Sequence, residues 1–135
     1  MFDTKIALVV RDDLAVWQKL NVVVFLTSGI VAAHRELIGA PYEDAAGNAY
    51  HALIVQPAIV LGADAETLKA IYLRTLERGV RASIYIEDMF RTGHDAANRG
   101  AVQQYAPAEM NVVGLAVREE KKLVDKITRG AKLHA

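Results

Sequence analysis

The sequence predicts a three-layer α/β/α domain, and three observations carry that expectation. Short apolar runs of strand length alternate with longer segments of helical period. The 135 residues are 53% hydrophobic and 24% charged, enough to bury one core without staples. With no cysteine, neither a disulfide framework nor a thiolate site is available to hold a different architecture together.

The elements follow in order. Thr4–Val10 is a continuous apolar run, as in a strand buried on both faces. Asp12 or Asp13 is placed to cap the next element, because a carboxylate accepts the free amide protons of a first helical turn. Leu14 to about Ile38 contains no proline and reads as a helix, apolar all round at Val22–Leu26 and so buried on more than one side, against the sheet and a second subunit. Gly39-Ala-Pro41 stops it. Asp44-Ala-Ala-Gly47-Asn48 is a turn cluster for a hairpin tip between Tyr42 and Tyr50. His51–Val55 and Ala58–Leu61 are β-like, split by Gln56-Pro57, with Pro57 marking an edge, a bulge or a strand start.

Asp64 caps a helix whose Leu68, Ile71, Tyr72, Thr75 and Leu76 share a face, and Gly79 ends it. Ala82, Ile84 and Ile86 alternate with Ser83, Tyr85 and Glu87 as in a strand. A polar stretch from Asp88 to Pro107 holds a short helix at Asp95–Gln104. Asn111–Val117 is a further strand. Glu119 and Glu120 open a last helix that Lys126 and Arg129 close before Gly130, an order that complements the helix dipole. This alternation implies a single domain over residues 1–135 with a mostly parallel sheet. The chain starts directly with strand-like sequence, and Val22–Ala33 is short for a bilayer span, so the cytoplasm is the expected location and no membrane partner is expected.

Chemistry is expected beyond the carboxyl ends of the strands. One loop offers Arg11, Asp12, Asp13, then Lys19 and Asn21 in the first helical turns. The other offers Asp88, Arg91, Thr92, His94, Asp95, Asn98 and Arg99. Asp88 would orient water or Lys19, or else cap the strand end and pair with Arg91. Thr92 would hold a substrate oxygen or stabilise a turn. Lys19 would stabilise an oxyanion or be a solvated helix lysine. His94 and Asp95 would form an acid–base pair, or Asp95 would cap the following helix. Asn98 and Arg99 would bind an anion, or Arg99 would pair back to Asp95 across one turn. No G-x-G-x-x-G, phosphate loop or G-x-S-x-G elbow is present, and four scattered histidines lack metal-ligand spacing, so no cofactor and no metal are expected.

Three stretches resemble the peptidyl-tRNA hydrolase II superfamily: Ile6-Ala-Leu-Val-Val-Arg11-Asp12-Asp13-Leu14, Asp88-Met-Phe-Arg91-Thr92-Gly93, and Val124-Asp-Lys-Ile-Thr128-Arg-Gly130-Ala-Lys-Leu133. The resemblance implies a hydrolase of an ester-linked substrate, with Asp88, Arg91 and Thr92 carried over directly and Lys19 after a one-residue slip in register. The chain departs from that pattern at bulky Trp17 and Val22–Phe25 and at Gly93, where the superfamily has glutamine. Trp17-Gln-Lys-Leu-Asn21, Thr92-Gly-His-Asp95 with Asn98-Arg99, and Asp125-Lys-Ile-Thr128 with Gly130 are similar to the bacterial domain-of-unknown-function family 2000. That second resemblance implies an α/β/α fold of the same group, a mixed four-stranded sheet with its last strand antiparallel, and a dimer. The alternative to a hydrolase is a non-catalytic dimeric module that binds a small anionic metabolite in the same crevice.

The formal net charge is zero, which excludes nucleic-acid binding by bulk electrostatics. The charge is unevenly spread, however. Residues 1–67 hold four bases against eight acids, and residues 68–135 hold twelve against eight. Any RNA contact is therefore expected to be local, at an RNA end.

Overall fold

A computed structural model describes residues 2–135. Its strands are β1 (Thr4–Arg11), β2 (Tyr42–Glu43), β3 (Ala49–Tyr50), β4 (Ala58–Ala63), β5 (Ser83–Ile86), β6 (Val112–Glu120) and β7 (Lys132–Leu133). Its helices are α1 (Val16–Ala33), α2 (Ala65–Glu77), α3 (Asp95–Gln103) and α4 (Lys121–Ile127). The main sheet has five strands in the order β5-β6-β1-β4-β7, and β2 and β3 form a separate hairpin.

The sheet is mixed, with β1–β4 as its one parallel pair. This corrects the mostly parallel sheet expected from the alternation of strands and helices, whereas the mixed sheet implied by the family resemblance is present, with five strands in place of four. Strand–helix alternation suggests parallel neighbours, but β6 enters between β5 and β1 and runs antiparallel to both. As a result β1, β4 and β5 all point the same way, and their carboxyl ends share one edge. The fifth strand, β7, is only two residues long and too short to produce a periodic signal.

Side-chain alternation along β1 explains the three layers. Ile6, Leu8 and Val10 pack with Val22, Leu26 and Ile30 of α1, whereas Ala7 and Val9 pack with Leu68, Ile71 and Tyr72 of α2 and Val124 and Ile127 of α4. Each aliphatic side chain buried this way contributes on the order of 1.5–3 kcal/mol. Along β6 the alternation slips. Tyr85 opposes Gly114 and Ile86 opposes Val112, so Val113 is the extra residue of a bulge. Val113 and Gly114 therefore both face α1. A Cβ on Gly114 would run into Val22 and Leu26, so the missing side chain sets how closely α1 lies on the sheet.

Several boundaries differ from the sequence reading. The first helix ends at Ala33. His34 leaves helical geometry (φ −135°), and Arg35–Leu37 forms a 3-10 turn that buries Leu37. Neither Asp12 nor Asp13 caps α1. Gln18 Oε1 accepts the Ala15 amide at 3.0 Å, while Asp13 pairs with Arg11 at 2.5 Å. His51–Val55 is no regular strand. It runs back beside residues 37–39 through Gly39 N to Leu53 O (3.0 Å) and Val55 N to Leu37 O (2.8 Å). Leu76 is exposed at the end of α2.

Other readings hold. Asp64 accepts the Thr67 amide at 2.7 Å, Gly79 takes φ +65°, and Pro57 stands just before β4. Glu120, with both carboxylate oxygens, accepts the Lys122 and Leu123 amides at the start of α4. α1 is 18 residues long with mean hydropathy 1.4, enough by composition to cross a bilayer, but Val22, Leu26 and Ile30 bury one of its faces on the sheet.

The β2–β3 hairpin is the tip of an arm. Every residue from 40 to 51 is exposed, yet the turn is well tied. Asp44 accepts from the Ala46 and Asn48 amides, the Asn48 side chain and the Tyr50 hydroxyl, all at 2.8–2.9 Å. These bonds, that from the Asn48 side chain foremost, hold its carboxyl at about 2.

Replacing Gly114 by alanine is expected to lift α1 from the sheet and destabilise the protein by about 1–3 kcal/mol. Chemical denaturation of the two proteins measures it, and an unchanged midpoint would contradict the close approach.

Candidate ligand cleft at the carboxyl edge

The shared carboxyl edge of β1 and β5 brings together the two loops that the sequence points to. Arg11, at the end of β1, pairs with Asp13 and reaches Glu87, just after β5, at 3.9 Å. On the α1 side of this edge lies a cleft of about 310 Å³.

One wall of the cleft is a row of aromatic rings. Trp17 meets Phe90 edge-on with centroids 6.3 Å apart, Phe90 meets Tyr85 at 5.2 Å, and Tyr85 meets Phe25 at 5.5 Å. These separations suit tilted aromatic pairs, worth roughly 0.5–1.5 kcal/mol each beyond burial. Tyr85 is buried, which raises the pKa of its phenol.

The polar lining comes from Asn21 of α1 and from Thr92, His94, Asp95 and Asn98. The Thr92 hydroxyl lies against Asn98 Oδ1, with Met89 O at 3.2 Å as its other acceptor. If it donates to Asn98 Oδ1, the Asn98 amide nitrogen is left to donate elsewhere. His94 Nδ1 accepts the Ala97 amide at 3.2 Å, so a neutral ring carries its proton on Nε2. His94 itself is the N-cap of α3, the place the sequence reading gave to Asp95. The Asp95 carboxylate is held by Arg99, one turn along α3, at 2.6 Å. Arg99 lines a trough of about 490 Å³ that continues the cleft along Phe25, Tyr85, Met89, Asp95 and Asn98.

The remaining candidates lie elsewhere. Lys19 lines a different crevice of about 430 Å³, with Asp12, Asp64, Thr67, Lys132 and His134 around the ends of β1 and β4. Arg91 is exposed and outside the cleft lining. Asp88 also lies outside that lining. Its Oδ1 accepts from the Asn111 side chain and its Oδ2 from the Tyr105 hydroxyl, each at 2.8 Å. Asn111, Tyr105 and, more weakly, Arg91 hold this carboxyl below the usual range. Asp88 thus fastens the turn Glu87–Phe90 to the end of α3 and the start of β6. Among the described residues, no three His, Asp or Glu side chains gather where a metal ion would sit.

The sequence reading missed Phe25, Tyr85 and Phe90 as cleft residues. Tyr85 lies on the face of β5 opposite Ile84 and Ile86. That position faces α1 because helices cover both faces of the sheet.

The protein is thus an α/β domain with a mixed sheet and a polar and aromatic cleft at the common end of its codirectional strands. The chain belongs to the family described as "Protein of unknown function (DUF2000)", whose model matches residues 4–135. It is similar over its full length to a solved structure of a protein of unknown function from Agrobacterium tumefaciens strain C58. The two share 59% identity and a TM-score of 0.98, with 100% of each chain covered. Among curated proteins none matches the chain.

Substituting Tyr105 by phenylalanine removes one donor from Asp88 and is expected to raise the pKa of its carboxyl toward the ordinary value. Because the folded pKa is the lowered one, Asp88 stabilises the fold above its unfolded pKa, and that contribution is lost as pH falls through the folded value. Carbon-detected NMR titration of the carboxylates reads the shift, and identical Asp88 curves in both proteins would remove this role from Tyr105.

Proposed function

We propose that the protein is a binding module that holds a small anionic molecule with a flat apolar part in the Trp17–Asn98 cleft. One observation carries this reading. The one carboxylate in the cleft lining, Asp95, is paired with Arg99, while the other polar groups include Asn21, Asn98 and His94, whose Nδ1 is taken by the Ala97 amide, and these have N–H groups to offer an oxygen-rich ligand. The aromatic row beside them supplies a surface for a planar or apolar moiety.

The second reading is a hydrolase of an ester-linked substrate, in keeping with the resemblance to peptidyl-tRNA hydrolase II. Its support is the pairing of Thr92 with a histidine, His94, in one cleft. The arrangement of the other two proposed catalytic groups favours binding instead. Lys19 borders the second crevice, and both oxygens of Asp88 are engaged.

Trp17 is the sole tryptophan and lines the cleft, so its emission reports occupancy directly. With a panel of phosphate esters and aromatic carboxylates, at least one class is expected to change Trp17 emission and raise the Tm of the protein. Asn98→Ala is expected to weaken that ligand about tenfold, the worth of one good hydrogen bond. Trp17→Phe is expected to lose the optical signal while keeping the thermal shift. No response from any panel member would overturn the binding reading. Turnover of a panel ester that His94→Ala abolishes would replace it with the hydrolase.

A further inference from the structure

The outer face of α1 is a large uncharged surface that nothing in the protomer covers. Val16 is 71% exposed, Leu20 64% and Val24 65%, with Trp17 and Phe25 beside them. These positions follow one another at i, i+4 and i+8, so they form a stripe down the helix. From Leu20 to Ala33 the helix carries no charged residue at all. An outward stripe of this kind in an isolated domain needs a partner.

We infer that this face is the contact surface of a homodimer, in which two copies pack their α1 helices antiparallel about a twofold axis and each β2–β3 arm closes over the N-terminal half of the partner's α1. Three features of the chain fit a second copy.

First, the stripe is self-complementary. Its N-terminal half is bulky (Val16, Trp17, Leu20, Val24), while beyond Phe25, near the middle of the helix, the exposed positions of its C-terminal half are small (Ser28, Ala32 and Ala33). Antiparallel packing sets the bulky half of one helix against the small half of the other, as a twofold contact requires. Second, the arm is rooted just beyond the C-terminal end of α1. The same antiparallel arrangement brings it alongside Val16, Trp17 and Leu20 of the other copy. The arm is ordered by Asp44, fully exposed, and carries Tyr42, Tyr50, Leu53 and Val55 outward. Third, the apolar side chains of the stripe and the arm together offer on the order of 1,000 Å² per protomer, against the ~800 Å² that a standard interface uses on each side. A lipid surface fits less well, because α1 has a single lysine where an interfacial helix is rich in Lys and Arg.

Sedimentation equilibrium tests the inference without reference to any ligand, so its outcome is independent of the cleft reading. Wild type is expected to run at twice the 14.8 kDa chain mass, and Val24→Glu is expected to run as a monomer with an unchanged far-UV spectrum. The absence of cysteine allows a second test that does not depend on that variant folding. Residue 24 lies near the middle of α1, so Val24→Cys is expected to form a disulfide with its own copy. Val16→Cys is not, because at about 1.5 Å per residue the two copies of position 16 would stand about 25 Å apart. A wild-type monomer at tens-of-micromolar concentration would overturn the dimer. So would a monomer that co-sediments with anionic phosphatidylserine vesicles, which would make the face a lipid surface. Equal cross-linking at both positions would overturn the antiparallel arrangement.

Discussion

The contact between α1 and β6 at Gly114 is the constraint on which most of the molecule depends. The β6 bulge turns Val113 and Gly114 to the same side, and Val22 and Leu26 settle into the space that Gly114 leaves open. A second close approach lies further along the helix, where a Cβ on Gly29 would strike Ser83 of β5. Two points fix a line, so α1 runs along β5 and β6 in the direction opposite to β5. Its first turns consequently reach the carboxyl edge of the sheet. Trp17 arrives beside Phe90 there, and Phe25 meets Tyr85 in a tilted pair halfway along. The aromatic row follows from how closely the helix can approach the sheet.

The other wall of the cleft depends on a different fastening. The segment from Thr92 to Asn98 contributes no fully buried apolar side chain of its own, so polar contacts have to position it. Asp88 ties the turn that precedes it to Tyr105 and Asn111, in the last part of the excursion between β5 and β6. Within the segment, the Thr92 hydroxyl meets Asn98, and His94 caps α3. A carboxylate whose two oxygens already hold two donors serves as an anchor here. This separates the residues that shape the cleft from those that face into it.

Much of this was legible in the sequence, and the failures have physical causes. The alternating layers, the Asp64 cap, the Gly79 stop and the hairpin turn at Asp44 each rest on local chemistry, which a sequence displays directly. The two loops that the sequence singled out do meet, through Asn21 on one side and Thr92, His94, Asp95 and Asn98 on the other. Lys19 could not be placed in the same way. It lies two residues from Trp17 and from Asn21, and on a helix that spacing turns a side chain well away from both. Strand order was equally hidden. The insertion of β6 between β5 and β1 is a non-local pairing, and no residue of β6 announces its neighbours. Tyr85 was not read as a cleft residue because period-2 alternation identifies two faces of a strand without saying which part of the covering helix each face meets.

The distribution of charge bears on what the cleft can take. The second half of the chain is basic, but much of that excess lies on the other side of the sheet. Arg74, Arg78, Lys126 and Arg129 gather along α2 and α4, and Arg74 donates to the Ile127 and Arg129 carbonyls at the end of α4. Arg74 in this group satisfies backbone acceptors at a helix C-terminus, which is a structural use of positive charge. On the cleft side, Arg99 is matched by Asp95, and Arg11 lies between Asp13 and Glu87. A polyphosphate backbone would meet no line of unpaired cations there, whereas a single small anion needs only a few aimed N–H groups. The charges named around the cleft, two bases and three acids, are thus paired with one another, and under the proposed binding role that pairing suits a small ligand better than an extended nucleic acid.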